Sequence, residues 1–576
     1  MAIVHETTGQ RCRLITSFCH ALGRRRQHVG GELQSPAREI ADGPIREIMT
    51  LLSGIISDEG SLRAVLPTRL LPVALGSFLL LGQVAGIFLP PCPGLAEETV
   101  PDPSSLQGPP SPHEPLPFDT SNGKRSNSSV VDRLVQDRKN GVHSWETGAG
   151  RSYWIPAAEI VAYEFFLNLF NRTFVEPTAD YQTNGSTIWK HFTDPKWVID
   201  DDQFKVNQFL HPYGGSIYYG IARSTGLSFW ESFLYSTAGS YLWEIAGETT
   251  DPSINDMIAT PIGGAFLGEP FFRMANLLLE DAEGKPGFWR ELGAAVISPP
   301  TGFNRLVFGD RFDPIFPSHK PATFMRLQAG GTISSSSRNV SADVEEGGAV
   351  ADFTFSYGLP GKPGYSYTRP FDYFDFQVRA VTANLLESVN SRGLLIGTTY
   401  ASGESTRGIW GLYGSYDYIS PQVFRVSSPA LSLGTTWQTW LSQAVALQGT
   451  ALGGVGYAAA GNTDQARTRD YHYGLTPQGL LALRFIFSDT VMLDFTGREY
   501  YVTNTLSSEQ GRENILRGDS SLTLRVYERH GVAVRYSHSY RNASYPGVEY
   551  RDQTVGTLSL MYVFLGESGF GAVEWR

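Results

Sequence analysis

The chain has 576 residues and a formal net charge of -11. That length argues for two or more domains, and that charge argues against a nucleic-acid partner. Aromatic residues reach 12%, charged residues only 18%, and Gly numbers 61, a mix that suits turn-rich β structure or a membrane protein.

Residues 1–48 carry a basic run, Arg24-Arg25-Arg26, and no periodic pattern. They read as a non-translated or disordered extension, with Met49 as the start. From there Arg63 and Arg69 precede "LLPVALGSFLLLGQVAGIFLPP", and Gly94 and Ala96 follow at signal-peptidase spacing. Segment 49–96 is therefore read as a secretory signal cut near Ala96–Glu97. The competing reading is an uncleaved anchor, which Pro72, Pro90 and Pro91 around the apolar run disfavour. Cys12, Cys19 and Cys92 all precede the cut, so the mature chain needs no disulfide framework.

Residues 97–150 are rich in Pro, Ser, Gly and charge and read as a disordered linker. The span 151–318 turns helical. "IPAAEIVAYEFFLNLFNRTF" forms a first helix, and three more follow at Gly214–Thr225, Ser228–Gly247 and Ser253–Leu279. "SFWE" (Ser228, Glu231) and "SIND" (Ser253, Asp256) are S-x-x-E/D helix starts, in which the serine caps orphan amides and the acid faces the positive helix end. "GFWRELGAAVI" adds a last helical segment.

From 319 to 576 the period changes to two. Val491, Leu493 and Phe495 alternate with Met492, Asp494 and Thr496; Val532, Val534 and Tyr536 alternate with Ala533, Arg535 and Ser537; Leu558, Leu560, Tyr562 and Phe564 share one face. Strict alternation is the strand signal. About twelve such segments occur, each near the ~9–11 residues of a membrane-crossing strand. A soluble β-sandwich or propeller competes with an outer-membrane barrel. Aromatic clusters at strand ends ("REYYV", "GSYDYIS", "TTWQTW") fit the girdle of a barrel. Arg379, Arg484, Arg498, Arg525, Arg535, Asp375 and Asp494 on the second face would then line a polar lumen. Against this, "LGESGFGAVEWR" runs on past Phe564, so either Phe570–Trp575 is the last strand or the count shifts.

"HPYGGSIYYGIARSTGLSFWESFLYS", "GSYLWEIAGE" and "PSINDMIATPIGGAFLGE" resemble a bacterial family catalogued as domain of unknown function 3943. The resemblance covers about residues 150–310. It implies an envelope protein, often with a barrel-like C-terminal part, and it supplies no reaction.

Glu244 and Glu248 are spaced i,i+4 and should share a helix face. Two carboxylates there repel, so burial demands a cation or a retained proton. His211, Glu244, Glu248 and Asp256 are the candidates to converge. In one reading Glu244, Glu248 and Asp256 form a structural polar clamp with Arg223 and Asn255, while Gly239, Gly263, Gly264 and Gly268 provide smooth faces for close helix packing. In another His211 and the three carboxylates hold a hard divalent ion or act as acid and base. A third reading lays Trp230, Phe233, Leu234, Tyr241 and Trp243 on a membrane surface. There is no HExxH, GxSxG or phosphate loop, and no metal or cofactor is assigned.

The sequence thus predicts an α+β membrane protein: a periplasmic all-α module followed by an antiparallel transmembrane β-barrel of about twelve strands. Its expected role is a structural or solute/lipid-handling component of the outer membrane, with outer-membrane lipid as partner and a small solute or lipid as ligand. The alternative is a lipid-acting or metal-dependent envelope enzyme that uses the His/Glu/Asp cluster.

Overall fold

The computed structural model describes residues 141–175, 178–200, 202–281, 285–336, 347–461, 471–503, 511–544 and 551–575. The segment read as a signal peptide, the cysteines and most of the segment read as a linker lie outside the described residues. Seven α-helices occur among those described: α1 Trp154–Phe174, α2 Gly185–Thr193, α3 His211–Ser224, α4 Phe229–Ala246, α5 Ile254–Glu280, α6 Phe288–Ile297 and α7 Pro299–Phe308. Their starts follow local chemistry. The Ser228 side chain caps Glu231 N–H, while the Glu231 carboxylate accepts Ser228 N–H at 2.8 Å. The Ser253 side chain accepts Asp256 N–H. Residues ahead of α1 are also packed: Trp145 Nε1 donates to Pro314 O at 3.1 Å, and its ring contacts Phe272 and Phe316. No described helix is long and apolar enough to cross a membrane, which says nothing of the strands.

Twelve antiparallel strands follow: β1 Thr323–Ser336, β2 Gly347–Tyr357, β3 Phe374–Val381, β4 Asn384–Ser402, β5 Thr406–Ile419, β6 Arg425–Trp440, β7 Val445–Gly461, β8 Tyr471–Phe487, β9 Val491–Val502, β10 Arg512–Tyr527, β11 His530–Ser544 and β12 Arg551–Leu565. Each pairs with its sequence neighbours, and β1 pairs with β12 from Arg326↔Leu565 to Ser336↔Val555, closing a barrel. Closure satisfies every ladder and leaves no edge. The end that holds the start of β1 carries short turns at 403–405, 441–444, 488–490 and 528–529. We call it the near end.

The alternation is apolar outward and polar inward. Leu522, Val534, Leu560 and Tyr562 are exposed on the outside, whereas Ala533, Arg535, Ser537 and Met561 are buried inside. Arginines crowd the interior and are ion-paired. Arg326 and Arg484 meet Asp494 at 2.7 and 2.8 Å, Arg535 meets Asp352 at 2.8 Å, and Arg541 meets Glu513 at 2.6 Å. Arg379 and Arg517 share Glu387 and Asp519, and Arg392 pairs with Asp375. Arg498 is buried in the same layer. Arg525 instead donates to turn carbonyls of Asp489 and Glu528 at the near rim.

Both mouths are filled. At the far end, Val423 and Phe424 turn inward against Ile419, Val426, Tyr500 and Ile515. At the near end, the segment after β12 folds back into the barrel. Val573 N–H donates to Gln438 Oε1 at 2.9 Å, and Val573 O accepts Gln438 Nε2 at 2.8 Å and Trp440 Nε1 at 3.2 Å. Phe570 packs there with Phe324, Met492 and Val563. Residues Phe570–Trp575 are therefore a plug rather than a last strand. A cavity of about 130 Å³ remains in the lumen, lined by Arg326, Asp375, Arg484 and Arg535.

The helices lie against the outside of the wall, neither beneath the barrel nor in its lumen. On β5, exposed Trp410 shares its face with Gly414, Tyr416 and Tyr418, while Tyr413 and Asp417 point inward to Thr436 and Tyr500. Gly414 lies against the Phe266 ring of α5, and the Tyr416 hydroxyl donates to Gln208 O. Phe355, Phe374 and Phe376 join Phe204, Tyr219, Phe229 and Phe266 in one apolar cluster. The strand-end aromatics are therefore divided among other tasks: Tyr416 and Tyr418 dock helices, while Tyr500 and Trp440 seal the interior.

Helix α5 runs along this wall. Its first turn meets Tyr473 near the far end, and its last turns meet Phe316 and Ser318 just before β1. At 27 residues it is about 40 Å long at 1.5 Å per residue.

Candidate functional site

The predicted carboxylates and histidine meet where α3, α4 and α5 converge at the far end. A π-helical turn, Val206–Leu210, leads directly into α3 and sets His211 at the junction. Glu244 comes from the last turns of α4 and Asp256 from the first turn of α5. One ligand atom from each of His211, Glu244 and Asp256 lies within 4.8 Å of the other two. Glu244 and Asp256 are buried, and His211 is half-buried.

The set is held by neighbours. Ser253 N–H donates to Glu244 Oε2 at 2.7 Å. Asn255 Nδ2 donates to Tyr473 OH at 2.8 Å and lies 3.3 Å from Asp256 Oδ1. Asn255 Oδ1 accepts Asp200 N–H at 2.8 Å, and Asn207 Nδ2 reaches Asp200 Oδ2 at 2.8 Å and Tyr471 OH at 3.0 Å. Thus β8 tyrosines of the barrel tie directly into the cluster.

Glu248 does not share a helix face with Glu244, because α4 ends at Ala246. It accepts Trp243 Nε1 at 2.8 Å and the Thr250 hydroxyl at 3.1 Å. Arg223 is not part of the cluster either. It stands twelve residues after His211 on α3, about 18 Å away along the axis, and pairs with Glu269 at 2.9 Å. Glu269 also takes Arg273 at 2.7 Å, and Arg273 takes Asp372 at 3.0 Å. That chain of ion pairs ties α3 and α5 to the connection between β2 and β3.

The glycines serve the same packing. A methyl group at Gly264 would overlap the Gly215 backbone, and one at Gly268 would sit 2.7 Å from the Tyr219 ring. The partner of this face is α3, not the Gly239–Ser240 side of α4, since Gly239 instead receives the Tyr218 ring. Gly263 sits where the start of α3 and the wall meet, against Pro212 and Tyr416.

Electrostatically the two clusters differ. Burial alone would raise the Glu269 pKa, but Arg223 and Arg273 outweigh it and hold it at about 2. Among the described residues, the charges that act most on His211 are carboxylates, not guanidiniums. Burial and then Asp256 push Glu244 up to about 8, and burial pushes Glu248 to about 7 and raises Asp256. Burial would lower His211, yet Asp256, Glu248 and Glu244 together hold it up at about 9. An excess of carboxylates over cations suits a divalent ion or shared protons.

The sequence reading missed Glu164 on α1. It is buried, burial pushes its pKa up to about 8, and Tyr218 and then His211 oppose that rise. Its only signal was an acid on the apolar side of a helix. Asp200 and Asn207 lay in a stretch recognised only as polar.

Residues 196–300 match the family described as a domain of unknown function, DUF3943. No curated protein is similar in sequence. Among solved structures, the NanC porin is similar at 8% identity, covering 41% of this chain and 98% of that one, with a TM-score of 0.21. The TodX monoaromatic hydrocarbon channel gives 8%, 48%, 94% and 0.19. OmpT, an outer membrane protein of Vibrio cholerae, in a loop-deleted form, gives 7%, 42%, 99% and 0.18. Likeness at this level leaves the functional reading to the chain's own geometry.

Proposed function

We propose that this protein is an outer-membrane barrel closed to solutes, whose outer wall mounts the helical module within the plane of the bilayer. The observation that carries this is the pairing of a sealed lumen with an outward apolar face. Exposed Leu560, Val534 and Leu522 on uncovered strands offer a lipid-facing band, which a barrel needs and a soluble sheet avoids. The module continues that surface: Trp154, Phe165, Phe166, Phe288 and Trp289 are exposed on its helices, Trp154 by 85% and Trp289 by 79%. Outer-membrane lipid is therefore the main partner. With the short turns facing the periplasm, as such barrels arrange them, the His211 cluster falls at the outer rim. An open, anion-selective pore is disfavoured, because most lumen arginines are ion-paired and both mouths are filled.

The test is conductance. Protein refolded into planar bilayers, with folding verified by a heat-dependent shift on gels, is expected to be electrically silent. Steady single-channel conductance from the intact folded chain would overturn the closed-barrel reading.

A further inference from the structure

We propose that His211, Glu244 and Asp256 bind one divalent first-row transition-metal ion, and that this ion pins the far-end junction of α3, α4 and α5. Three observations carry this. First, the three ligand atoms already converge within 4.8 Å. Donors ~2 Å from a tetrahedral zinc ion stand about 3.3 Å apart, so side-chain rotation has at most about 1.5 Å to close.

Second, the buried acids elsewhere are mostly neutralised by arginine: Glu269, Asp352, Asp372, Glu387 and Glu513 each pair with a guanidinium. Neither Glu244 nor Asp256 has a Lys or Arg within ion-pair distance among the described residues, though both are more than nine-tenths buried. Third, the same pocket holds unspent polar capacity. Asn207 Oδ1, fully buried on the π-helical turn that leads into His211, lacks a donor. An ion coordinated by Glu244 and Asp256, taking the place of the His211 proton, supplies two positive charges where the imidazolium supplies one.

The donor types select the ion. One imidazole and two carboxylates without thiolate suit Zn²⁺ or Mn²⁺; Cu(I) favours sulfur and Ca²⁺ favours an all-oxygen shell. The outer contacts are those of a built site: Ser253 N–H orients Glu244, and Asn255, held by Tyr473, sits beside Asp256. Half-buried His211 leaves a route for the ion.

The full folded chain in detergent is stripped with chelator, then dialysed against Zn²⁺ alone or Mn²⁺ alone, and bound metal is counted. One ion per chain is expected. His211→Gln and Asp256→Asn are each expected to weaken binding at least about tenfold, whereas Glu231→Gln, on an exposed helix start, leaves it unchanged. Each variant is checked for folding by the heat-dependent gel shift. If a variant fails to fold, metal-dependent protection of the wild-type α4–α5 junction from hydrogen exchange replaces it as the readout. Substoichiometric metal on folded wild type, equal binding by wild type and a folded His211→Gln, or exchange unchanged by metal would each overturn the proposal.

Discussion

The carbonyl of Phe266, inside helix α5, accepts the hydroxyl of Ser391 from the barrel wall. The cause lies four residues on. Pro270 has no N–H, so Phe266 O has no intrahelical donor. The same device recurs where Pro212 frees Gln208 O, which takes the Tyr416 hydroxyl and lies 3.4 Å from Ser427 Oγ. Away from water an unsatisfied carbonyl is costly, so the wall hydroxyls and the helix prolines form matched pairs.

Ser391→Ala is therefore expected to cost about 1–3 kcal/mol by leaving a buried acceptor unpaired. In a Pro270→Ala background, where α5 regains its own N–H donor, the same change should cost clearly less. Urea unfolding of the four proteins in detergent closes the cycle. Equal losses in both backgrounds would show that the hydroxyl acts elsewhere.

Adjacent glycines on α3 give a second, sharper contrast. A methyl group added at Gly214 would meet no atom of a neighbouring element within 4 Å, whereas one at Gly215 would overlap Thr260 O of α5. Gly214→Ala is expected to stabilise by up to about 1 kcal/mol through helix propensity. Gly215→Ala is expected to destabilise by about 1–3 kcal/mol by forcing α3 and α5 apart. Unfolding midpoints of the two single variants decide it.

Much of this architecture was readable in the chain, because periodicity and caps are local. The boundaries of α4 and α5 fall within a residue or two of those drawn from "SFWE" and "SIND", and twelve alternating segments became twelve strands. What local pattern cannot carry is which face meets what. Arg223 was assigned to Glu244 because it ends the neighbouring helix, but three turns of α3 separate it from that carboxylate. Nothing local places the module on the wall, because an outward tyrosine bound to a helix, Tyr416, reads the same as one in an interfacial girdle. Phe570–Trp575 looked like a strand by composition, and only the positions of Gln438 and Trp440 across the barrel make it a plug.

The Arg223–Glu269–Arg273 chain predicts a pH response with a defined sign. Glu269 faces Arg223, Arg273 and the Tyr219 hydroxyl, with Asp372 beyond Arg273. Its folded pKa of about 2 lies below the unfolded value of about 4.3. Its contribution is therefore fully present above the unfolded pKa and is lost as pH falls through the folded one. The Glu269 contribution, read as the difference in proteolysis of the α3–α5 region between wild type and Glu269→Gln, should stay constant from pH 7 to about pH 5 and shrink steeply below about pH 4, because the titration of Glu244 and Glu248 is common to both proteins and cancels. Glu269→Gln, which leaves two buried guanidiniums without their anion, should cost about 3–5 kcal/mol at neutral pH.

Leu560 separates a lipid-facing wall from a merely exposed one. It lies in the uncovered part of β12, paired with Gly331 and Val534, and is 65% exposed. On a soluble sheet an arginine there reaches water, and the change should stay within about 0.5 kcal/mol. Against hydrocarbon it must be desolvated or snorkel, at about 2–4 kcal/mol near the bilayer midplane. Leu560→Arg is therefore expected to lower the urea midpoint of protein folded into lipid vesicles by that larger amount. Gly331 and Val534 flank the site without charge, so no new ion pair on the neighbouring strands can offset the loss. A vesicle-folded variant as stable as the wild type would place β12 out of contact with lipid, and with it the outward band on which the membrane reading rests.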